Sequence, residues 1–318
     1  MMKKIIQTIK KYQKFLISTH VNPDPDALCS ELAVALFLKS LGKKVTILNE
    51  EEVLTRFHFF PGVKQIKAYK EKQHYNYDVA IIVDCGDLNR IGKVKNALGD
   101  GKILINIDHH ITNDFFGNLN LVLKKSSSTA EVLYELLLEA KCKLTKNLAI
   151  NLYCGIMTDT GSFRYSNTSS RTHHIVSELR KFNFSATELY SNLYETISLK
   201  DSQEFARIIS KFDTLYKGKI IYVELRKKVV ERFSEAFDLR DALFRFLRSI
   251  YGVEAVVICT EFKSDKTRVN LRSSGNINVA KIAAHFKGGG HHNASGCQID
   301  GNIAQARQKV LKEIKKSL

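Results

Sequence analysis

The chain has 318 residues, of which 44 % are hydrophobic, enough for two ordinary globular domains and too apolar for a disordered tail. Its formal net charge is +16, which points to a polyanionic partner, although the lysine runs near both ends equally suit solvated helix faces. No run reaches the roughly 18 apolar residues of a membrane span, residues 1–14 lack the apolar core of a secretion signal, and the six cysteines form no CxxC pair, so a reduced, cytoplasmic protein is expected.

Residues 14–19 (KFLIST) form a short apolar run that closes in polar residues, as a buried strand does. From 26 to 41 the apolar residues Leu28, Leu32, Ala35 and Leu36 recur at helical spacing, and Gly42 follows as a stop signal. Runs rich in Ile and Val at 44–48, 78–83 and 102–107 suit buried parallel strands, and 128–140 and 146–158 suit helices. This alternation predicts a doubly wound, mainly parallel sheet with helices on both faces. Residues 169–212 are nearly all helical in pattern. Strand patterns return at 219–225, 253–262 and 268–273, with helical patterns at 239–251, 277–286 and 303–316. The expected fold class is therefore α/β in two domains: a larger one over 1–190, a helical linker over 191–214 and a smaller α/β domain over 215–318.

The reactive side chains stand where strands stop. His20, Asp24 and Asp26 follow the first strand, Asp84 the third, and Asp108, His109 and His110 the fourth, while Asp159 ends a helix. In open α/β sheets ligands bind at the carboxyl ends of strands. Any one of these aspartates alone is more simply a helix cap or turn residue. Five aspartates brought together would repel unless cations neutralised them. Carboxylates with imidazoles suit Mn²⁺, Mg²⁺ or Zn²⁺. A carboxylate bridging two such ions about 3.5–4 Å apart creates a place for a shared water that becomes a nucleophile near neutral pH, the chemistry of phosphate ester hydrolysis. His58, His74, His173, His174 and His285 earn no role. Phe163, Arg164 and Tyr165 follow Asp159 closely enough to stack a base, although a core role for Phe163 is equally simple.

In the second half, Gly288, Gly289 and Gly290 precede His291 and His292. Consecutive glycines let backbone N–H groups approach an anion without obstruction by a Cβ, and His291 adds a donor. Arg272 and Ser273 end a strand, and Arg272 has the planar fork that matches phosphate. Arg268 is a weaker candidate, since a solvated strand residue explains it.

Asp108-His109-His110, with the other clusters in this order, resembles the DHH phosphoesterase superfamily, and the glycine loop resembles its associated C-terminal domain. Length and motif order are similar to the bacterial nano-RNase and pAp phosphatase branch. The resemblance implies His20, Asp24 and Asp84 as ligands of one metal, and Asp26, Asp84, His109 and Asp159 as ligands of the other, with Asp84 bridging. Asp108 would orient the network and His110 would face the scissile phosphate. Arg272, Ser273, Gly288, Gly289, Gly290 and His291 would bind substrate phosphate. The implied cofactors are two divalent ions, Mn²⁺ first, with Mg²⁺ or Co²⁺ as alternatives. The implied function is hydrolysis of very short RNA to mononucleotides and of 3′-phosphoadenosine 5′-phosphate (pAp) to AMP. The rivals are a linear pApA or cyclic-dinucleotide phosphodiesterase and a non-catalytic nucleotide-binding regulator. The implied partners are short RNA and small nucleotides, no membrane, and a homodimer is left open. Lys287, where the family often has glycine, and His292 depart from the pattern and bear on substrate preference.

Overall fold

A computed structural model describes residues 1–234, 237–263, 265–274 and 276–316. The chain divides into two compact units, Met1–Leu193 and Tyr194–Leu318. In the first, α1 (Met2–Lys11) buries Ile5, Ile6 and Ile9 and turns its lysines outward. Then follow β1 (Lys14–Ser18), α2 (Pro25–Ser40), β2 (Lys44–Asn49), β3 (Ile66–Ala68), β4 (Val79–Val83), β5 (Ile103–Asp108) and β6 (Leu119–Val122). The unit ends with α3 (Thr129–Glu139), α4 (Lys146–Asp159), α5 (Ser170–Arg180) and α6 (Ala186–Tyr194).

All six strands are parallel, in the order β3-β2-β1-β4-β5-β6. The chain fills one side of β1 and then returns to fill the other. The loops leaving β1 and β4 therefore diverge, and a crevice opens between them at the carboxyl ends of the strands. The Thr19 hydroxyl donates to the Val83 carbonyl at 2.8 Å across this point. Helix α2 is buried on nearly every face, because it runs between the sheet and α3 and α4. Side chains such as Leu28 and Leu32, each worth roughly 1.5–3 kcal/mol on burial, lie at 0 % and 1 % exposure.

The second unit contains α7 (Leu199–Ile209), β7 (Asp213–Leu215), β8 (Ile220–Leu225), α8 (Lys227–Val230), α9 (Leu239–Leu247), β9 (Ala255–Lys263), β10 (Lys266–Ser273), α10 (Val279–His285), β11 (Gly289–His291), β12 (Ala294–Asp300) and α11 (Ile303–Lys315). Its mixed sheet runs β11-β12-β10-β9-β8-β7. One face packs on α10 and α11 through Val257, Val269, Leu271 and Val310. The other packs on α9 through Val256, Ile258, Leu243 and Leu247, and Phe205, Ile208 and Ile209 of α7 join that cluster. Helix α7 thus belongs to this unit, whereas the sequence places it in a linker over 191–214. Its apolar stripe has a core to cover, so it is packed.

A second difference concerns the glycine run. Gly289 and Gly290 lie in an edge strand, paired with Gly296 and Ser295, and only His292 and Asn293 turn the hairpin. A Cβ on Gly288 would come within 2.3 Å of the Gly296 carbonyl oxygen, and one on Gly290 within 2.4 Å of that of Ala294. Those two glycines are needed for close strand approach. A Cβ on Gly289 would meet nothing within 4 Å.

Among the described residues no helix is long and apolar enough to cross a membrane.

Candidate metal centre

Asp24 caps α2, its carboxylate accepting from the Ala27 amide at 3.0 Å, and Pro25 suits the first helical position. Two residues on, Asp26 is turned inward at 1 % exposure. Its carboxylate accepts from the amides of Thr129 and Ala130 at 2.8 and 3.1 Å, the first two residues of α3. The positive end of that helix therefore faces Asp26. The Thr129 hydroxyl donates to Asp84 at 2.7 Å. On α4, a Cβ at Gly155 would lie 2.5 Å from Asp26 Oδ1 and 2.7 Å from the Ala130 Cβ, so glycine is what lets α4 close over the carboxylate.

Asp84 leaves β4 in the left-handed region at φ 52°, with its amide on the Ile107 carbonyl at 3.0 Å. Such backbone is uncommon outside glycine and concentrates at functional sites. Asp84 Oδ2 lies 3.7 Å from His20 Nε2, and Oδ1 lies 3.7 Å from both His109 Nε2 and His110 Nδ1. His109 Nε2 is also 3.4 Å from Asp159 at the end of α4.

The two outer imidazoles have their tautomers set. His20 Nδ1 donates to the Val21 carbonyl at 2.9 Å, and His109 Nδ1 to that of Ser126 at 3.3 Å. A carbonyl can only accept, so Nδ1 carries the proton and Nε2 turns to the carboxylates. His110 is held differently. Its Nδ1 lies 2.6 Å from Asp108 Oδ1, while Asp108 Oδ2 accepts from Asn113 Nδ2 at 2.6 Å. Asn113 Nδ2 also reaches Asn106 Oδ1 at 2.8 Å, which locks the fully buried Asp108.

Three donor groups result among the described residues: His20 with Asp24 and Asp84; Asp26 with His109 and Asp159; and Asp84 with His109 and His110. In each, the atoms lie within 4.8 Å of one another. The donors are carboxylate oxygens and imidazole nitrogens with no thiolate, which fits hard or borderline divalent cations. The electrostatics fit as well. Burial, then the charges of Asp84 and Asp159, push Asp26 well above the ordinary carboxylate range. Asp159 is pushed up to about 7 by withdrawal from solvent and by Asp24 and Asp84, with His109 opposing. Burial works against ionisation of Asp84 too, yet His20, His110 and His109 outweigh it and hold its pKa well below normal. Burial likewise opposes the charge on His109, but Asp159, Asp84 and Asp26 raise it to about 9. The cluster thus attracts protons, the competitors of a metal ion at such a site.

The six metal-ligand candidates drawn from sequence therefore lie in one cluster, with Asp108 behind His110. Thr129, Asn113 and Gly155 have no place in the sequence reading. Of these only Thr129 carries a local signal, because Ser128 and Glu131 mark the start of α3. Phe163 packs half-buried against Tyr153 and His173, and Tyr165 lies over Gly161 in the loop after Asp159.

In the second unit, register places Arg272, Ala294 and His291 in one row across β10, β12 and β11. The Arg272 guanidinium lies over the Phe244 ring at 4.8 Å. Ser273 points to the opposite face, is fully buried, and donates to the Ile277 carbonyl at 2.7 Å. This corrects its placement among the substrate-binding residues, because alternation along β10 turns it into the core. Gly290 shares that inner face with Ser295.

Residues 14–156 match the DHH family, N-terminal domain, and residues 217–318 match the DHHA1 domain. The chain is 31 % identical over 301 residues to the bifunctional oligoribonuclease and PAP phosphatase NrnA of Bacillus subtilis, a match that spans 93 % of this chain and 92 % of that protein. It is 31 % identical over 299 residues to the protein of the same description from Mycoplasma genitalium, spanning 92 % and 91 % of the two chains. Among solved structures, an exopolyphosphatase-related protein from Bacteroides fragilis superposes with a TM-score of 0.90 at 26 % identity, covering 99 % of this chain and 95 % of that one. The chain therefore belongs to the DHH family of metal-dependent phosphoesterases, as an enzyme of the two-domain type that carries a DHHA1 domain.

Proposed function

We propose that this enzyme is a two-metal phosphodiesterase that hydrolyses very short RNA to mononucleotides and converts pAp to AMP. The observation that carries the reading is the convergence of the donor groups around one buried carboxylate, Asp84. Relatives described as oligoribonuclease and PAP phosphatase support the substrate class.

His20, Asp24 and Asp84 would hold one cation, and Asp26, Asp84, His109 and Asp159 the other, with Mn²⁺ the expected metal. Bound there, the ions supply Lewis acidity toward phosphoryl oxygens and lower the pKa of an attacking water. The protein's own residues orient this chemistry. Asp26 is fixed by two backbone amides and Asp84 by the Thr129 hydroxyl. His20 and His109 present Nε2 because carbonyls occupy Nδ1. Asp108 holds His110 by Nδ1, so the Nε2 proton is the one His110 offers to a phosphoryl or leaving-group oxygen. Burial opposes protonation of His110, but the Asp108 hydrogen bond and the charge of Asp84 raise its pKa, which suits a donor. In the second unit, Arg272 and His291, with the open Gly289 beside them, anchor a substrate phosphate.

The test is hydrolysis, with and without Mn²⁺, of an RNA dinucleotide, a 24-mer RNA, pAp, linear pApA and pyrophosphate. Mn²⁺-dependent loss of the dinucleotide and pAp is expected. If both survive while pyrophosphate or pApA alone is consumed, the substrate assignment is wrong.

A further inference from the structure

The row that contains Arg272 continues along the sheet. Strand β10 alternates, so Arg268, Asn270 and Arg272 share one face while Thr267, Val269, Leu271 and Ser273 are buried on the other. Asn270 pairs with Gly296, which pairs with Gly289, and Arg268 pairs with Gln298. The residues between the two arginines and the sheet edge are thus small: Ala294, Gly296 and Gly289. A Cβ on Gly296 would meet the Asn270 amide nitrogen at 3.3 Å, so glycine keeps this floor low.

The two ends of the track are built alike. Arg272 lies over Phe244, and Arg268 lies over Phe262 at 5.1 Å, with Phe262 itself 45 % exposed. Arg268 is partly buried and lies within electrostatic reach of the like charge of Arg240, at the exposed start of α9, and no ion pair joins Arg268 or Arg240 to a carboxylate among the described residues. Burying a guanidinium beside another without an acid is unfavourable unless an anion joins them.

We infer that this face of the second unit is a track for single-stranded RNA, in which Arg268, with Arg240, binds a backbone phosphate beyond the one held by Arg272. Four residues of strand separate the two arginines, about 13 Å at the usual rise. That is wider than one phosphate-to-phosphate step, so a dinucleotide anchored at Arg272 falls short of Arg268 and a tetranucleotide reaches it. The exposed Phe262 ring, with the Arg268 guanidinium over it, offers a base a stacking surface, the usual companion of such phosphate contacts. The inference rests on the short-RNA reading of Arg272 and adds a length preference to it.

The experiment compares full-length parent, Arg268→Gln and Arg240→Gln, loaded with Mn²⁺, on 5′-phosphorylated di- and tetranucleotide RNA. Arg268→Gln should lower kcat/KM for the tetranucleotide about tenfold, a loss of about 1.4 kcal/mol, and at least fivefold more than for the dinucleotide. The loss should lie in KM, and the slope of log KM against log salt for the tetranucleotide should shrink by about 0.7 for the one phosphate lost. Arg240→Gln, on a helix surface, should show the same length dependence in smaller degree with an unchanged Tm. Equal losses on both lengths, or none, overturn the inference while leaving the short-RNA reading intact. A parent that hydrolyses neither RNA sinks that reading. Anisotropy of the labelled tetranucleotide then decides the track alone: equal affinity for parent and Arg268→Gln rejects it.

Discussion

Glu31 and Asn49 meet in the core beneath the metal centre, the Asn49 Nδ2 donating to Glu31 Oε1 at 2.9 Å while Glu31 Oε2 and Asn49 Oδ1 are both buried without a partner. Each of the two side chains thus keeps a buried acceptor without a donor, and a proton on Glu31 would serve both. Burial supplies the reason to keep it: Glu31 is pushed up to about 8, with the Asn49 hydrogen bond and His20 opposing. A neutral carboxyl would then donate from Oε2 and close a two-bond ring with the amide.

A pH signature follows. In the unfolded chain Glu31 releases its proton near 4.5, whereas in the folded protein it keeps it to about 8. Between these values the folded state binds the extra proton, so stability falls as pH rises, by at most about 1.4 kcal/mol per unit. Glu31→Gln offers the same two hydrogen bonds without titrating. Its Tm should match the parent near pH 5 and exceed it increasingly toward pH 8. A constant difference across that range would show that Glu31 is ionised in the fold.

Gly155→Ala should be harmful even though alanine favours helices by about 1 kcal/mol. Its methyl would stand 2.5 Å from Asp26 Oδ1. The expected cost in stability is about 1–3 kcal/mol, as for other overpacked cores. Metal affinity, measured by titration of the apo-protein, should fall with it. Normal affinity in a folded Gly155→Ala protein would mean that Asp26 is not a ligand.

Chelation should lower Tm, because ions that bind only the folded state stabilise it by about 2.7 kcal/mol at a hundredfold excess over Kd. Asp84→Asn should abolish turnover, reduce the bound metal and lose most of this chelator response. Activity with full metal content in that variant would dismiss Asp84 as the bridge.

Asp108→Asn tests a positioning residue. The amide cannot hold His110 in the same charge state, so kcat should drop about 10²-fold with KM little changed, and the alkaline limb of the pH profile should move to lower pH, because His110 then loses its proton more readily. A pure loss of stability, with kcat intact in the folded fraction, would leave Asp108 a structural role only.

Ser273→Ala and Arg272→Ala should separate cleanly. The first loses a buried hydrogen bond worth about 1 kcal/mol and should lower Tm with KM unchanged. The second should raise KM with Tm nearly unchanged. A rise in KM for Ser273→Ala would return the hydroxyl to the substrate site.

What was legible in the sequence follows from what local patterns encode. The Ile- and Val-rich runs announce β1, β2, β4 and β5, and the polar residues just beyond them announce the site, since strand ends are where this topology exposes side chains. The short edge strands β3, β6 and β7 carry too few residues for a pattern. Gly155 and Asn113 were illegible for another reason. Their roles are set by partners distant in the chain or on another element, Asp26 for one and Asp108 for the other. Ser273 misled because its neighbour Arg272 faces outward, and only register tells adjacent residues apart. The glycine run was read as a loop because glycine is rare in strands. Here the strands pack so closely that nothing larger fits at Gly288 or Gly290.

The amides that cradle Asp26 belong to residues 103 and 104 positions further along the chain, and Asp159 lies later still. A ribosome that has made only the first hundred residues has released His20, Asp24 and Asp26 without the partners that shape them. The growing chain therefore has no finished cage with which to trap the wrong ion. A cation held by Asp26, His109 and Asp159 would therefore bind only after α3 and α4 have docked, late in the making of the first unit.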